Sequence, residues 1–283
     1  MLIDLAHNYV RSRYRRSGIQ SKYCPAGSSI VHYYEYAHQD PRATVVLLHG
    51  LGTSSSTWAK VLPKLTRDYR VVAVDLAGFG FSRITSGKTY FTIGEQVEMF
   101  SQFVDALSLS SFRLIGQSFG GWIAARYAVG NQDRVEQLVL INNAGIYYKG
   151  VERVRELFTI NSPRDVNRLT DAMWHRYPWY YRLLAPFILA DMARRSVKDI
   201  IASIEDRDFL VEELTSLRMP VSVIWGERDK LLSKESVQTM QRIVPRLETH
   251  YLSRAGHVPQ LECPGEFTKI LLQVLERRLD GVD

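Results

Sequence analysis

Ser118 lies in the run Gly116-Gln117-Ser118-Phe119-Gly120-Gly121. A glycine stands two positions to either side of it. That spacing suits a serine held on a sharp turn from strand to helix, where bulk two residues away would block the turn. The apolar stretch FRLIGQ precedes the serine and the helical stretch FGGWIAARYA follows it. At a helix start, free N–H groups and the helix dipole favour negative charge. The expected chemistry is attack of the hydroxyl on a carbonyl carbon, with the oxyanion held by backbone donors.

A serine hydroxyl needs a base, and the base needs a group that orients it. His257, in RAGHVP, follows the last expected strand and can reach back over the carboxyl edge of a sheet. His7, His32, His38 and His175 have no clear link to that edge. His250 falls inside an expected strand. His49, ahead of a glycine at a strand end, is expected to be hydrogen-bonded beneath the site as a structural group. The order serine, acid, histidine along the chain points to Asp229, in WGERD directly after VSVIW. Glu227 is its nearest rival, and a surface ion pair is the other use for it. The preceding strand ends in Asn142-Asn143 and offers no carboxylate. The N–H of Phe119 and that of Leu51, in the turn His49-Gly50-Leu51-Gly52, are the expected oxyanion donors. Residues 75–82 are glycine-rich but match neither phosphate-loop pattern, so they are read as a structural turn near the catalytic face. This chemistry calls for no metal and no organic cofactor.

The elements that must position these groups alternate. Strands are expected over 30–36, 44–49, 70–75, 112–117, 137–142, 221–225 and 248–252, with a weaker one near 22–24. Runs such as VVLLH, VVAVD and LVLIN are apolar almost throughout, as in strands buried on both faces. Helices are expected over 57–65, 93–107, 119–129, 234–243 and 265–279. This βαβα order predicts a doubly wound, mostly parallel α/β sheet. Residues 146–217 break it. They hold no convincing strand and are too long for a loop. Ser162-Pro163 reads as an N-cap with proline at the first helical position. Further helices are expected over 180–189 and 191–204. The segment is therefore read as a helical cap inserted into a core of residues 23–145 and 218–283.

Composition narrows the function. At 46% hydrophobic and 23% charged, the chain can bury a full core and is not disordered. Cys24 and Cys263 are its two cysteines, too few for a disulfide framework, so a reducing, cytoplasmic setting is expected. The net charge of +6 is concentrated at residues 1–22, where Arg11, Arg13, Arg15, Arg16 and Lys22 face Asp4 alone. No basic stripe interleaved with aromatics follows, which speaks against nucleic acid. The first residues have the wrong layout for a secretory signal, and no apolar run is long enough for a membrane span. Leu2, Leu5, Ala6 and Tyr9 fall at helical spacing. This basic amphipathic segment either lies on the inner face of a membrane or docks on its own domain or a partner subunit.

Taken in order, HGLG, DLAGFGFS, GQSFGG, WGERD and GHVPQLE resemble the α/β-hydrolase superfamily over nearly the whole chain. The resemblance implies an eight-stranded, mostly parallel sheet with a cap over the site. Among capped branches the chain looks most like the monoacylglycerol lipase and carboxylesterase group. Haloalkane dehalogenases and epoxide hydrolases carry an aspartate where Ser118 stands. Proline iminopeptidases carry an HGGPG turn absent here. The meta-cleavage carbon–carbon hydrolases usually carry HGGGPG and a tryptophan after the histidine, against HGLG and Val258. The expected function is hydrolysis of small esters with an apolar acyl chain. Trp174, Tyr177 and Trp179 of the aromatic-rich cap, with Val258, are the expected substrate contacts. Carbon–carbon hydrolysis by the same triad, and a catalytically silent binding protein, are the alternatives.

Overall fold

A computed structural model describes residues 2–276, and of residues 2–6 the backbone only. The side chains of Leu2, Leu5 and Ala6 in the expected apolar stripe, and the end of the last expected helix at 277–279, therefore lie outside the described residues. The strands, in chain order, are β1 (Gln20–Ala26), β2 (Ser29–Tyr36), β3 (Thr44–Leu48), β4 (Arg70–Val74), β5 (Arg83–Ile84), β6 (Phe112–Gln117), β7 (Val135–Ile141), β8 (Val221–Gly226) and β9 (Glu248–Leu252). They lie side by side in the order β1-β2-β4-β3-β6-β7-β8-β9, with the two-residue β5 pairing off β2. From β4 to β9 all pairings are parallel, while β2 is antiparallel to β1, β4 and β5. The weak run near 22–24 is thus part of a full seven-residue edge strand.

Alternation along the strands builds two cores, one on each face of the sheet. Val46, Leu48, Leu114 and Leu138 face one side, and Val45, Leu47, Ile115 and Val139 the other. The helices follow as α1 (Leu2–Arg16), α2 (Leu62–Leu65), α3 (Ile93–Ala106), α4 (Phe119–Gly130), α5 (Glu152–Leu157), α6 (Pro163–Met173), α7 (Tyr181–Arg194), α8 (Val197–Ala202), α9 (Glu235–Ile243), α10 (Pro259–Glu262) and α11 (Pro264–Glu276). Side chains of α3, α4 and α9 fill the first core, and those of α1, α2 and α11 the second. Phe100 and Phe103 of α3 pack at i and i+3, and a capping box between Thr92 and Glu95 starts that helix. Tyr14 of α1 is buried against Tyr34 with its ring centroid 4.6 Å away, and its hydroxyl donates to the Ser55 carbonyl. The second half of α1 is therefore docked on its own domain through Val10 and Tyr14, while Tyr9 of the expected stripe is exposed. No helix of the described residues is long and apolar enough to cross a membrane.

Residues between β7 and β8 form the cap, from α5 to α8. Ser162 caps α6 as its sequence predicts, its Oγ accepting from Asp165 N–H, with Pro163 opening the helix. Three expectations are corrected. The helix over 57–65 is a 3-10 turn (Ser55–Trp58) and the single turn α2. Pro63 has no N–H to donate back and fits only a helix start, so the two pieces cannot fuse. The cap helices over 180–189 and 191–204 are instead one helix, α7, and a shorter α8. They break at Ser196, whose φ of 51° ends the helical path. α5 was not expected at all, being only six residues long.

Candidate active site

β6 lies at the middle of the sheet and delivers Ser118 to the start of α4. The serine backbone has φ 53°, a region that non-glycine residues seldom occupy. It is held there from several sides. Ser118 N–H donates to the Ile141 carbonyl, and the Ser118 carbonyl accepts from Trp122 and Ala144. The flanking glycines are there for close approach. A Cβ on Gly116 would come within 2.4 Å of the Gly120 carbonyl oxygen, and one on Gly120 equally close to that of His49. With no side-chain cap on α4, Ser118 keeps its hydroxyl free for another partner.

That partner is His257. Its Nε2 lies 2.8 Å from Ser118 Oγ, and its Nδ1 lies 2.7 Å from Asp229 Oδ2. A carboxylate only accepts, so Nδ1 carries the proton and Nε2 offers a lone pair to the serine O–H. His257 and the Asp229 side chain are almost wholly buried, while Ser118 is half-buried. Asp229 Oδ1 accepts from the N–H groups of Leu231 and Leu232, and Oδ2 also accepts from Asn142 Nδ2. Glu227, the rival carboxylate, is exposed and paired with Lys234 at 3.1 Å.

The loop carrying His257 is sewn to the cap. His257 N–H donates to the carbonyl of Met173, the last residue of α6, and Lys230 N–H, beside Asp229, donates to that of Ala172. A helix leaves its last carbonyls without internal donors, and here the acid and base loops supply them. Glu262 completes the seam by accepting from Gly256, His175 and Arg176 N–H at 2.7, 2.8 and 3.2 Å. Burial pushes its carboxyl above the usual glutamate range, against the pull of those donors. Gly256 must be glycine, because a Cβ would lie 2.5 Å from the Met173 oxygen. On the core side, Gln117 Nε2 donates to the His257 carbonyl.

His49 is buried beneath the turn at Leu51. Its Nδ1–H donates to the Gly50 carbonyl and its Nε2 accepts from Leu76 N–H. Burial depresses its pKa to about 4, so the ring is neutral at pH 7. Neither Leu51 N–H nor Phe119 N–H donates to an acceptor among the described residues, and both residues border the cavity above Ser118. The space between the atoms there amounts to about 830 Å³, open solvent at its mouth included. Phe119 and Trp122 from the core and Ile146, Val154, Phe158 and Phe209 from the insertion between β7 and β8 wall it, with Glu152, Arg155 and Asp206 at its polar fringe.

Not all expected residues meet here. Trp174, Tyr177, Trp179 and Val258 do not line this cavity. Trp174 packs on Tyr181, Tyr177 hydrogen-bonds Asp171, and Trp179 is 76% exposed. Val258 is buried, at the start of α10. Two residues of the site escaped the sequence reading. In the sequence Asn142 stands out only as a missing carboxylate, and Glu262 only as the last residue of GHVPQLE, with no role attached. Among the described residues no group of three or more His, Cys, Asp or Glu side chains could hold a metal ion.

Comparison with known proteins fits this geometry. A family model described as alpha/beta hydrolase fold matches residues 43–216. Monoacylglycerol lipase abhd6-B of Xenopus laevis is 25% identical over 92% of this chain and 83% of its own length. The 2-hydroxy-6-oxo-2,4-heptadienoate hydrolase of Pseudomonas putida is 26% identical over 80% and 87% respectively. Among solved structures, a membrane phospholipase A superposes with a TM-score of 0.82 at 27% identity, covering 97% of this chain and 93% of that one.

Proposed function

The chain belongs to the alpha/beta hydrolase fold family, and on that premise we propose that it hydrolyses carboxylic esters with an apolar acyl chain through an acyl-serine intermediate. The observation that carries this reading is the aromatic and aliphatic cavity that opens on Ser118. An apolar chain laid against Phe158, Val154 and Phe209 leaves its carbonyl at the serine. The lipase and phospholipase among the relatives support the same class.

In the proposed mechanism His257 Nε2 takes the Ser118 proton as Oγ attacks the ester carbonyl. Leu51 and Phe119 N–H groups hold the oxyanion. Asp229 keeps the imidazole in its Nδ1–H tautomer and stabilises the imidazolium. His257 then protonates the leaving alcohol. Water, activated by the same histidine, releases the acid. The reading also places the exposed Arg13, Arg15 and Arg16 at the end of α1 against an anionic membrane surface, as a peripheral contact.

Ser118→Ala tests it. Hydrolysis of 4-nitrophenyl butyrate should fall by roughly 10⁴-fold or more, and a fluorophosphonate should label wild type on Ser118. Wild-type turnover in the variant would overturn the assignment, and an unlabelled Ser118 would favour a silent binding protein. The Pseudomonas relative favours a second reading, carbon–carbon hydrolysis of a ring-fission dienoate by the same triad. Turnover of such a dienoate without ester turnover would select it.

A further inference from the structure

A second serine–histidine–carboxylate relay stands at the far edge of the sheet. Ser21 Oγ on β1 lies 2.8 Å from His32 Nε2, and His32 Nδ1 lies 2.7 Å from Asp75 Oδ2. Both distances equal those at Ser118, His257 and Asp229. Antiparallel register sets Ser21 opposite Tyr34, so His32, two residues away, shares its face. The edge strand lies four strands from β6, about 19 Å across the sheet. The two sites are separate.

The proton arrangement follows from the acceptors. Asp75 Oδ1 takes the N–H and the hydroxyl of Ser55, and Oδ2 takes Phe81 N–H besides the His32 ring. Burial alone would push this carboxyl up. The bonds from His32 and Ser55 outweigh it and hold the pKa at about 2. A charged Asp75 fixes the proton on His32 Nδ1, which leaves Nε2 to accept from Ser21 O–H. His32 and Asp75 are buried, and Tyr34 and Phe81 wall the imidazole at 4.7 and 5.0 Å. Ser21 alone of the three reaches the surface. It opens into a groove that Arg11, Arg15 and Lys22 also line. Lys22 is held by Glu35, and Arg11 lies over the Phe81 ring. Nothing in the mechanism at Ser118 uses this relay.

We propose that Ser21 is the nucleophile of a second hydrolytic site, which takes small esters carrying a carboxylate or phosphate group. A bond forms from Ser21 Oγ to the acyl carbon while the Oγ proton passes to His32 Nε2. Collapse of the tetrahedral adduct breaks the ester C–O bond, and the leaving oxygen takes that proton. Water then attacks the acyl-serine, His32 accepts its proton, and Ser21 is restored as the acid departs. Ser21 sits on an extended strand and not at a helix start, so the cationic groove has to supply the charge that backbone donors supply at Ser118. That requirement selects anionic substrates.

The test uses Ser118→Ala, which silences the first site. This variant should still hydrolyse the mono-4-nitrophenyl ester of succinic acid, and millimolar inorganic phosphate should slow it. Ser21→Ala in the same background should abolish that turnover, and His32→Gln should lower it by roughly 100-fold or more. Mass spectrometry of the quenched reaction should find the succinyl group on Ser21. Should His32→Gln fail to fold, Ser21→Ala on the exposed strand decides alone. The proposal is overturned if Ser118→Ala shows no such turnover, if Ser21→Ala leaves it unchanged, or if phosphate has no effect. None of these outcomes bears on the neutral-ester assay that tests Ser118.

Discussion

Asn142 Nδ2 lies 2.7 Å from Asp229 Oδ2, the same oxygen that receives His257 Nδ1–H. Its own Oδ1 accepts Gly226 N–H at 2.9 Å. One amide thus ties the end of β7 to β8 and fixes the acid. Its φ of 38° marks a backbone bent to do so. Asn142→Ala should lower kcat about tenfold with little change in KM, and should cost about 1–3 kcal/mol of stability through the stranded Gly226 N–H. Steady-state kinetics beside urea unfolding would check both. Unchanged kcat would leave the residue a purely structural part.

Glu262 should matter to catalysis although it lies beyond the triad. Glu262→Ala strands three N–H groups, two of the cap and one beside His257. The expected result is a fall of roughly tenfold or more in kcat/KM. A shape-matched Glu262→Gln keeps one acceptor oxygen and should recover part of it. Equal activity of both variants to wild type would show that the seam does not position the base.

His49 gives the fold an acid weakness. Its pKa of about 4 when folded lies below the ordinary 6.5. Between those values the unfolded chain binds a proton that the native ring does not. Its contribution is complete above pH 6.5 and lost as pH falls through 4, a total of about 3 kcal/mol. Urea midpoints at pH 7 and pH 4.5 should show the drop, and His49→Gln should flatten it. A slope equal to that of wild type would count against His49 as its source.

Val154 of α5 walls the cavity. Val154→Trp should shorten the chain accepted, cutting kcat/KM for an octanoate ester roughly tenfold more than for a butyrate ester. A panel of 4-nitrophenyl esters measures this. Equal losses on every chain length would place the acyl group elsewhere.

The three members of the triad were legible because each sits in a short local pattern: a glycine-flanked turn, and two loops directly after strands. Glu227 and Asp229 differ by two residues, and the loop after β8 turns one inward and leaves the other beside Lys234. What stayed hidden depends on distant contacts. Asn142 and Glu262 work on partners 84 or more residues away, apart from Gly256. The cap misled because aromatic content marks a packing surface as readily as a pocket. Trp174 and Tyr177 spend their rings within the cap, while the cavity draws on α5, which is too short to show a period. The break at Pro63 could have been read, since proline fits the first turn of a helix better than its middle.

The seam between α6 and the His257 loop bears on modularity. An insertion that enters and leaves the core at two points looks exchangeable, and a cap from another hydrolase could be spliced at residues 146 and 217. Here the graft would remove the Met173 carbonyl from His257 and the Ala172 carbonyl from the loop after Asp229. The recipient would keep every triad side chain and lose the backbone partners of His257 and of Lys230, the residue after Asp229. Any functional transplant has to carry an equivalent of residues 172–176, so the inherited unit is the cap together with the loops it clasps.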